Sequence, residues 1–501
     1  MKILSASEIR QADAYTTEHE PMASIDLMER AAAACFEWIK KRFDKFHLFK
    51  IVCGTGNNGG DGLAVARMML ESDYNVMVYV IRHSEKYSGD FKINEQRLLK
   101  INSDCLTNVY DEKDFPAIHE NDVVIDAIFG TGLSKPIEGL VALFIQQINK
   151  SPAAVISIDI PSGLFADSEV DHGNTIIHSK HTLTFEAPKL TFMFSENDQY
   201  VGEWSVLDIG LDRNFIEQLP SNTFLIEEQT VKKIFKPRPK FSHKGMYGHA
   251  LLIAGSHGKM GAAVLAARAC LRSGIGLLTV HVPKCGYEII QISVPEAMTE
   301  TDADENVFTS KGSTENFNAV GIGCGIGTDD QTLNAFIYFL SFCKVPLVID
   351  ADAINMLGQN KDLLKCLPEN SILTPHPKEF ERITEKTKND FHRHELQIIF
   401  AEKYKVFVVL KGAHTCIACP DGTVFFNNTG NPGMSKGGSG DALTGIILSF
   451  LGQGYSSKQA CVLGVYLHGA AGDCAAKKMG MESILTSDLI ENIGDAFKNL
   501  G

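Results

Sequence analysis

Short apolar strands that run into glycine-rich loops and then into helices recur along this chain, and few folds accept that pattern. FKIVCG (49–54) meets GTGNNGGDG (54–62), then a helical stretch, LAVARMMLE (63–71), and a second strand, NVMVYVI (75–81). A strand–helix–strand unit builds a parallel sheet, and its loop lies at the strand's carboxyl end, where open α/β sheets bind ligands. The loop offers amide and acid groups (Asn57, Asn58, Asp61). It lacks the Lys-Ser/Thr pair of a P-loop and the usual register of a dinucleotide fingerprint. Two further strands end in the same style. DVVIDAIFGTGL (122–133) places Asp126 before Gly130 and Gly132, and AVISIDIPSGL (154–164) places Asp159 before Pro161, Ser162 and Gly163. Each alone reads as turn chemistry; three in one domain indicate a site. The oxygens of Asn58, Asp126 and Ser162 are hard donors suited to a hard cation, which leaves Asp159 for proton transfer.

Residues 5–42 read as two helices, the second with Leu27, Met28, Ala31, Ala32, Cys35, Phe36 and Ile39 on one face. Strands within 181–209 would finish the first sheet. FKPRPKFSHKGMYGH (235–249) has two prolines, several basic residues and no periodicity, and is expected to connect two domains. The expected division is 1–220, a connecting 221–248 that begins the second domain, and 249–501. A second α/β series follows: the strand HALLIAGS (249–256), the small-residue helix of GKMGAAVLAARACLRSG (258–274), and strands in GLLTVHVP, NAVGIGCGIG and VPLVIDADAIN. No period of about 20–50 residues recurs, so the chain is not a solenoid.

The second half is organised around NNTGNPGMSKGGSGDALTG (427–445). Gly437, Gly438 and Gly440 precede Asp441, and Ala442, Leu443, Ile446, Ile447 and Phe450 then repeat at helical spacing. Unpaired N–H groups and the helix dipole make such a start an anion site. Asp441 reads either as a helix-start carboxylate or as the acid that orients a hydroxyl during phosphoryl transfer, and the helix start is expected to depress its pKa. His376, between two prolines, is a turn residue or a ring held against a flat substrate. Lys411, before Gly412, is a solvated strand end or a ligand contact. Cys416 and Cys419 are the sole CxxC and alternate along a strand, with no second pair to complete a zinc site.

Apolar residues make up 44% and charged residues 22%, ordinary for a globular protein of two or three domains. The formal charge of −14 argues against nucleic-acid or anionic-membrane partners. No apolar run reaches about 18 residues, and MKILSASEIR lacks a signal peptide's core, so a cytoplasmic chain is expected.

The whole chain resembles the bifunctional NAD(P)H-hydrate repair enzymes. GNNGGDG, DAIFGTGL and IDIPSGL resemble an epimerase domain of Rossmann-like, three-layer α/β form. KGMYGH, AGSHGKMGAAVLAARACLRSGIG, GIGCGIG, TPHPKEF, VLKGAHT and KGGSGDALTG resemble the ADP- or ATP-dependent dehydratase, a ribokinase-like α/β domain. The resemblance implies that the substrates are hydrated NADH and NADPH, with ADP or ATP and magnesium at the dehydratase site. It implies epimerisation of the (R) and (S) hydrates, and dehydration of the (S) form with release of AMP (from ADP) and phosphate. Asn57, Asn58, Gly59, Gly60 and Asp61, with Gly130, Thr131, Gly132, Leu133, Ser134, Lys135 and Pro136, would line the epimerase substrate. Asn58, Asp126 and Ser162 match potassium ligands, and Asp159 matches the acid at the reacting carbon. In the dehydratase, Ala262, Gly323 and His376 would touch the hydrated nucleotide, Lys411, Gly412, Ala413, His414, Thr415 and Gly440 would hold the adenine nucleotide, and Asp441 would be catalytic. GTGNN stands for the commoner GPGNN, GIGCGIG for a proline-containing loop, and LFADSEVDHG for a shorter LDADTG. A ribokinase-like vitamin-precursor kinase with an N-terminal nucleotide-binding module is the alternative; a homo-oligomer is plausible.

Overall fold

A computed structural model describes residues 1–20, 22–170, 173–309 and 314–500. It divides into two compact units, Lys2–Ser221 and Asn222–Gly501, with Met1 belonging to the second. Asp171 and His172 of the LFADSEVDHG segment lie outside the described residues. Among the described residues, no helix is long and apolar enough to cross a membrane.

The first unit holds β1 (Leu48–Cys53), β2 (Asn75–Ile81), β3 (Leu106–Val109), β4 (Asp122–Ala127), β5 (Ala154–Ile158), β6 (His181–Phe185) and β7 (Glu203–Leu207). All pairings are parallel, in the order β3-β2-β1-β4-β5-β6-β7. Chain order reverses between β1 and β4, and that switch point is where such sheets open a crevice. Phe49, Ile51 and Cys53 bury on one face of the sheet with the helices Ala6–His19 and Ser24–Lys40; Val52 and Val124 bury on the other with Gly139–Lys150. The apolar face predicted for the second helix is buried in full. Cys53 pairs with Ala127, so the two chains leave the sheet side by side. A Cβ on Gly54 would lie 2.2 Å from the Ile128 carbonyl oxygen, and one on Gly59 would lie 2.0 Å from that of Gly54. Only glycine allows that approach.

One boundary differs from the expectation. The helix after β1 begins at Asn57, not at Leu63, and runs to Glu71. Asn and Gly are poor helix formers, but the close passage past Gly54 demands them. The result places Asn58 and Asp61 on neighbouring positions of one helix turn.

The second unit holds β8 (Thr223–Leu225), β9 (His249–Ile253), β10 (Leu277–Val282), β11 (Met298–Thr301), β12 (Ala319–Ile322), β13 (Leu347–Ile349), β14 (Ile372–Leu373), β15 (Phe407–Leu410), β16 (Cys416–Ala418) and β17 (Val424–Phe426). Their order is β11-β10-β9-β12-β13-β14-β15-β16-β17-β8, parallel except where β16 pairs with β15 and β17. Helices cover both faces. On one face, Met260–Arg272 meets Ser439–Gly452 at small residues: a Cβ on Gly445 would lie 2.1 Å from the Ala266 carbonyl oxygen. Every residue from Ala442 to Gly452 is buried, as the apolar repeat predicts.

The segment 235–249 is not a connection between units; it lies inside the second one. β8 already pairs with β17, and Val231 of the helix Glu228–Ile234 is fully buried. Beyond it, the Lys236 amide donates to the Tyr455 hydroxyl at 3.0 Å, and the Arg238 guanidinium lies 3.9 Å from the Tyr247 ring centre. Backbone donors and cation–π stacking hold this stretch without an apolar face, which is why periodicity does not reveal it.

Candidate active sites

In the first unit a cavity of about 800 Å³ opens beside the carboxyl ends of β1, β4 and β5. Asn57, Asn58 and Asp61 line it from the first turn of their helix, and Gly130 to Lys135 line it from the loop after β4. Asp159 faces it at the end of β5 with φ of 66°. A left-handed non-glycine residue is held there against its preference, a form of strain that clusters at functional sites. Its Oδ2 accepts the Thr131 amide at 3.0 Å, and its Oδ1 lies 3.2 Å from the Lys189 ammonium. Lys189 is fully buried and also donates to the carbonyls of Phe185 (3.3 Å) and Ala187 (3.2 Å). A Cβ on Gly130 would lie 2.9 Å from Asp159 Oδ2 and 3.4 Å from Asn58 Oδ1, so these three positions meet.

Asp126 lies at the end of β4, fully buried. It accepts Ser162 Oγ at 2.6 Å, the Ser162 amide at 2.9 Å and Ser157 Oγ at 2.7 Å. Burial pushes its pKa up and these donors pull it back. Ser162 Oγ in turn accepts the Phe129 amide at 2.9 Å, one residue before Gly130. Asp13, Asp61 and Asp90 share the cavity. Burial, then the charge of Asp159, raises Asp13 to about 6; burial, then Asp159 and Asp13, raises Asp61 well above the carboxylate range.

In the second unit the loop before Ser439–Gly452 turns at Gly438, whose φ is 89°. Lys411, at the end of β15, reaches toward this helix start: its Nζ would lie 3.2 Å from a Cβ on Gly440 and is 2.8 Å from Asp350 Oδ1. Burial opposes the charge on Lys411, yet Asp350 and Glu379 raise its pKa. Asp350, nearly fully buried at the end of β13, also accepts Thr444 Oγ1 at 2.8 Å. Gly323 passes beneath it: a Cβ there would lie 1.9 Å from the Asp350 carbonyl oxygen. Asp441 does not follow the helix-start expectation. Burial, then the like charge of Asp350, raises its pKa to about 6. Desolvation exceeds what a helix terminus supplies.

His376 caps the helix Pro377–Ile383. Its Nδ1 accepts the amides of Lys378 (3.1 Å) and Glu379 (3.3 Å), which assigns the ring proton to Nε2. Burial lowers its pKa, so it is a neutral Nε2–H donor.

The sequence pattern of the NAD(P)H-hydrate dehydratase family matches residues 250–494, and that of the YjeF-related protein N-terminus matches 24–191. The bifunctional NAD(P)H-hydrate repair enzyme Nnr of Moorella thermoacetica is 35% identical over 519 residues, covering 100% of this chain and 97% of that protein. The chain belongs to the bifunctional NAD(P)H-hydrate repair enzymes. The enzyme of the same name from Thermofilum pendens is 33% identical over 100% of this chain and 97% of its own length. A solved ribokinase-like superfamily protein from Enterococcus faecalis V583 is 27% identical with a TM-score of 0.50, over 56% of this chain and 97% of that one. The fold of the second unit is accordingly ribokinase-like, and that of the first is the Rossmann-like sandwich of the family's N-terminal half.

The structure brings some of the predicted positions together and leaves others apart. Gly59 and Gly60 are buried away from the cavity, where Cβ atoms would strike Gly54 and Met28, and Pro136 is exposed outside its lining. Gly412 and Ala413 are exposed in the turn after Lys411, where Thr415 Oγ1 donates to the Gly412 carbonyl at 3.1 Å and His414 lies 3.2 Å from the Asn427 carbonyl. Ala262 lies against Gly325, whose Cβ would meet it at 3.1 Å. Cys416 and Cys419 are buried free thiols with pKa values raised by burial, consistent with strand packing. Sequence reasoning missed Lys189, Asp13, Asp350 as a hub, and Cys324. The motif EAPKL after β6 was the available signal for Lys189.

Proposed function

We propose that the chain repairs hydrated NADH and NADPH in two steps, one in each unit. The dehydratase reading is carried by one observation: Lys411, Gly440 and the raised-pKa Asp441 converge over Asp350 at a helix start. A hydroxyl leaves poorly from neutral water, whereas a phosphate leaves well. In this reading the ring hydroxyl attacks the terminal phosphorus of ADP or ATP as its proton passes to Asp441, and the bond to the leaving AMP or ADP breaks. Lys411 and the amides of the glycine turn hold the phosphates. The ring nitrogen's lone pair then expels phosphate, and the adjacent ring carbon loses a proton to restore the dihydropyridine. Magnesium, as the phosphates' counter-ion, would find hard oxygens in Asp350 and Asp352. In this reading Nε2–H of His376, 3.4 Å from Glu379 Oε1, donates to the substrate.

A base must be ionised to act, and Asp441 titrates near 6 with Asp350, Asp352, Lys411 and Cys324 facing it. Dehydration therefore falls as pH drops through about 6, and the acid limb of kcat/KM measures it. An acid limb near 4 contradicts this assignment.

In the first unit, the reacting carbon of the hydrate carries both the hydroxyl and the ring nitrogen. Removing the hydroxyl proton and protonating the nitrogen opens the ring to an aldehyde, and reclosure on the other face gives the other epimer. Asp159, paired with Lys189, is positioned to exchange the hydroxyl proton. Asp61, raised well above the carboxylate range by burial and then by the charges of Asp159 and Asp13, is the acid able to serve the nitrogen.

Potassium fits the neighbouring donors. Asn58 Oδ1 and Nδ2 are buried without a hydrogen-bond partner, and the Asp126 carboxylate meets only neutral donors. Asn58, Asp126 and Ser162 would hold it. Bound there, potassium would supply the positive charge that buried Asp126 lacks. Asp126→Ala is expected to weaken potassium dependence and epimerisation while sparing dehydration of the (S) hydrate. Assaying both activities with and without potassium checks this; equal loss of both counts against two separate sites.

A further inference from the structure

Among the described residues, one group of three metal-capable side chains converges. The Cys324 thiol and carboxylate oxygens of Asp350 and Asp441 all lie within 4.8 Å of one another. Cys324 is the thiol of the GIGCGIG loop. It sits between Gly323 (φ 128°) and Gly325 (φ 67°), two left-handed positions that fix the loop's path, and it is fully buried. Its Sγ lies 4.0 Å from Asp350 Oδ2. Asp441 is only partly buried, so a small ion has a way in.

The donor set chooses the ion. Two carboxylates alone would suit magnesium, but a sulfur donor with two oxygens suits zinc, at about 2.3 Å for sulfur and about 2.0–2.2 Å for oxygen. Binding would draw the three atoms in from a 4.8 Å spread, with Asp350 exchanging its contacts to Lys411 and Thr444 for the ion. The surroundings favour a cation, since Asp350, Asp352, Glu379 and Asp441 face the ammonium groups of Lys411 and Lys259. Acids outnumber bases there. A water or a phosphate oxygen completes a tetrahedron.

We propose that Cys324, Asp350 and Asp441 form a zinc site that overlaps the dehydratase centre, and that filling it stops dehydration while epimerisation continues. On binding, the thiol proton leaves to solvent as the sulfur–zinc bond forms, and nothing is oxidised or reduced. Asp441, once a ligand, no longer takes the hydroxyl proton. The inhibitory half rests on the reading of Asp441 given above; the binding half does not.

The test uses the full-length chain without nucleotide, with Co²⁺ as the spectroscopic probe. A thiolate-to-cobalt charge-transfer band should appear at one equivalent per chain, be displaced by Zn²⁺, and be absent in Cys324→Ala. In parallel, Zn²⁺ at about ten times its dissociation constant should lower dehydration about tenfold in the parent, reversibly with EDTA. Cys324→Ala, measured against its own zinc-free rate, should lose less than about twofold, and epimerisation should hold in both proteins. No cobalt band, or equal zinc inhibition of Cys324→Ala, overturns the proposal. A cobalt band that persists while Asp441→Asn still dehydrates would keep the metal site and remove the catalytic reading instead.

Discussion

Asp441→Asn lowers nucleotide-dependent dehydration by roughly 10²–10⁴-fold, the usual range for losing a general base, and leaves epimerisation at the parent rate. The substitution keeps the side chain's size and its acceptor oxygen. It removes a carboxylate that burial and Asp350 already hold near 6, so folding loses little. Nucleotide affinity should persist or rise, because a negative charge facing the phosphates is gone. The measurement pairs recovery of NADH absorbance from the (S) hydrate with a nucleotide binding isotherm. A variant that dehydrates within about threefold of the parent removes Asp441 from the mechanism. A variant that loses nucleotide binding as well would make it a structural residue of the loop.

Much of each candidate site was legible because its proposed chemistry sits at strand ends, where glycine, acid and amide residues cluster in the sequence. Asn58, Asp126, Asp159 and Ser162 were found that way, and so were Asp441 and Lys411. Most strands of the two sheets follow from the same punctuation, but β3, β8 and β11 do not. What stayed hidden depends on neighbours far away in the chain. Lys189 is fully buried four residues past β6, and EAPKL does not by itself show that its ammonium reaches Asp159. Asp13 lies on a short amphipathic helix, and nothing local shows that its face closes the cavity.

The pKa of Asp441 is the clearest case of local reasoning overruled. A helix start lowers the pKa of an acid by a local field, and that much is visible in GGSGDALTG. Burial of the same carboxylate and its approach to Asp350, at the end of another strand, are set by the packed sheet. The same applies to Asn57–Asp61, which composition reads as loop and packing makes a helix. Glycine there is selected by proximity to Gly54, not by propensity.

Asp159→Asn is expected to abolish catalysed exchange of the two hydrates, so the (R) form is consumed only as fast as it epimerises spontaneously, while the (S) form is repaired at the parent rate. The difficulty is Lys189. It is fully buried 3.2 Å from Asp159, and breaking a buried pair from one side costs on the order of 3–5 kcal/mol. Asp159→Asn alone therefore risks a folding defect that mimics a catalytic one. Asp159→Asn with Lys189→Met removes both charges, and should recover most of the thermal stability lost by either single variant. It should not recover epimerisation, since the proton-exchanging group is still absent. Lys189→Met alone should lose both stability and epimerisation, because Asp159 is left without its counter-ion. Melting curves and (R)-to-(S) exchange rates on the three variants separate these effects, with (S)-hydrate dehydration as the internal standard for the other unit. A double variant that epimerises within about tenfold of the parent would show that Asp159 anchors the loop after β5, and that the proton is moved by Asp13 or Asp61 instead.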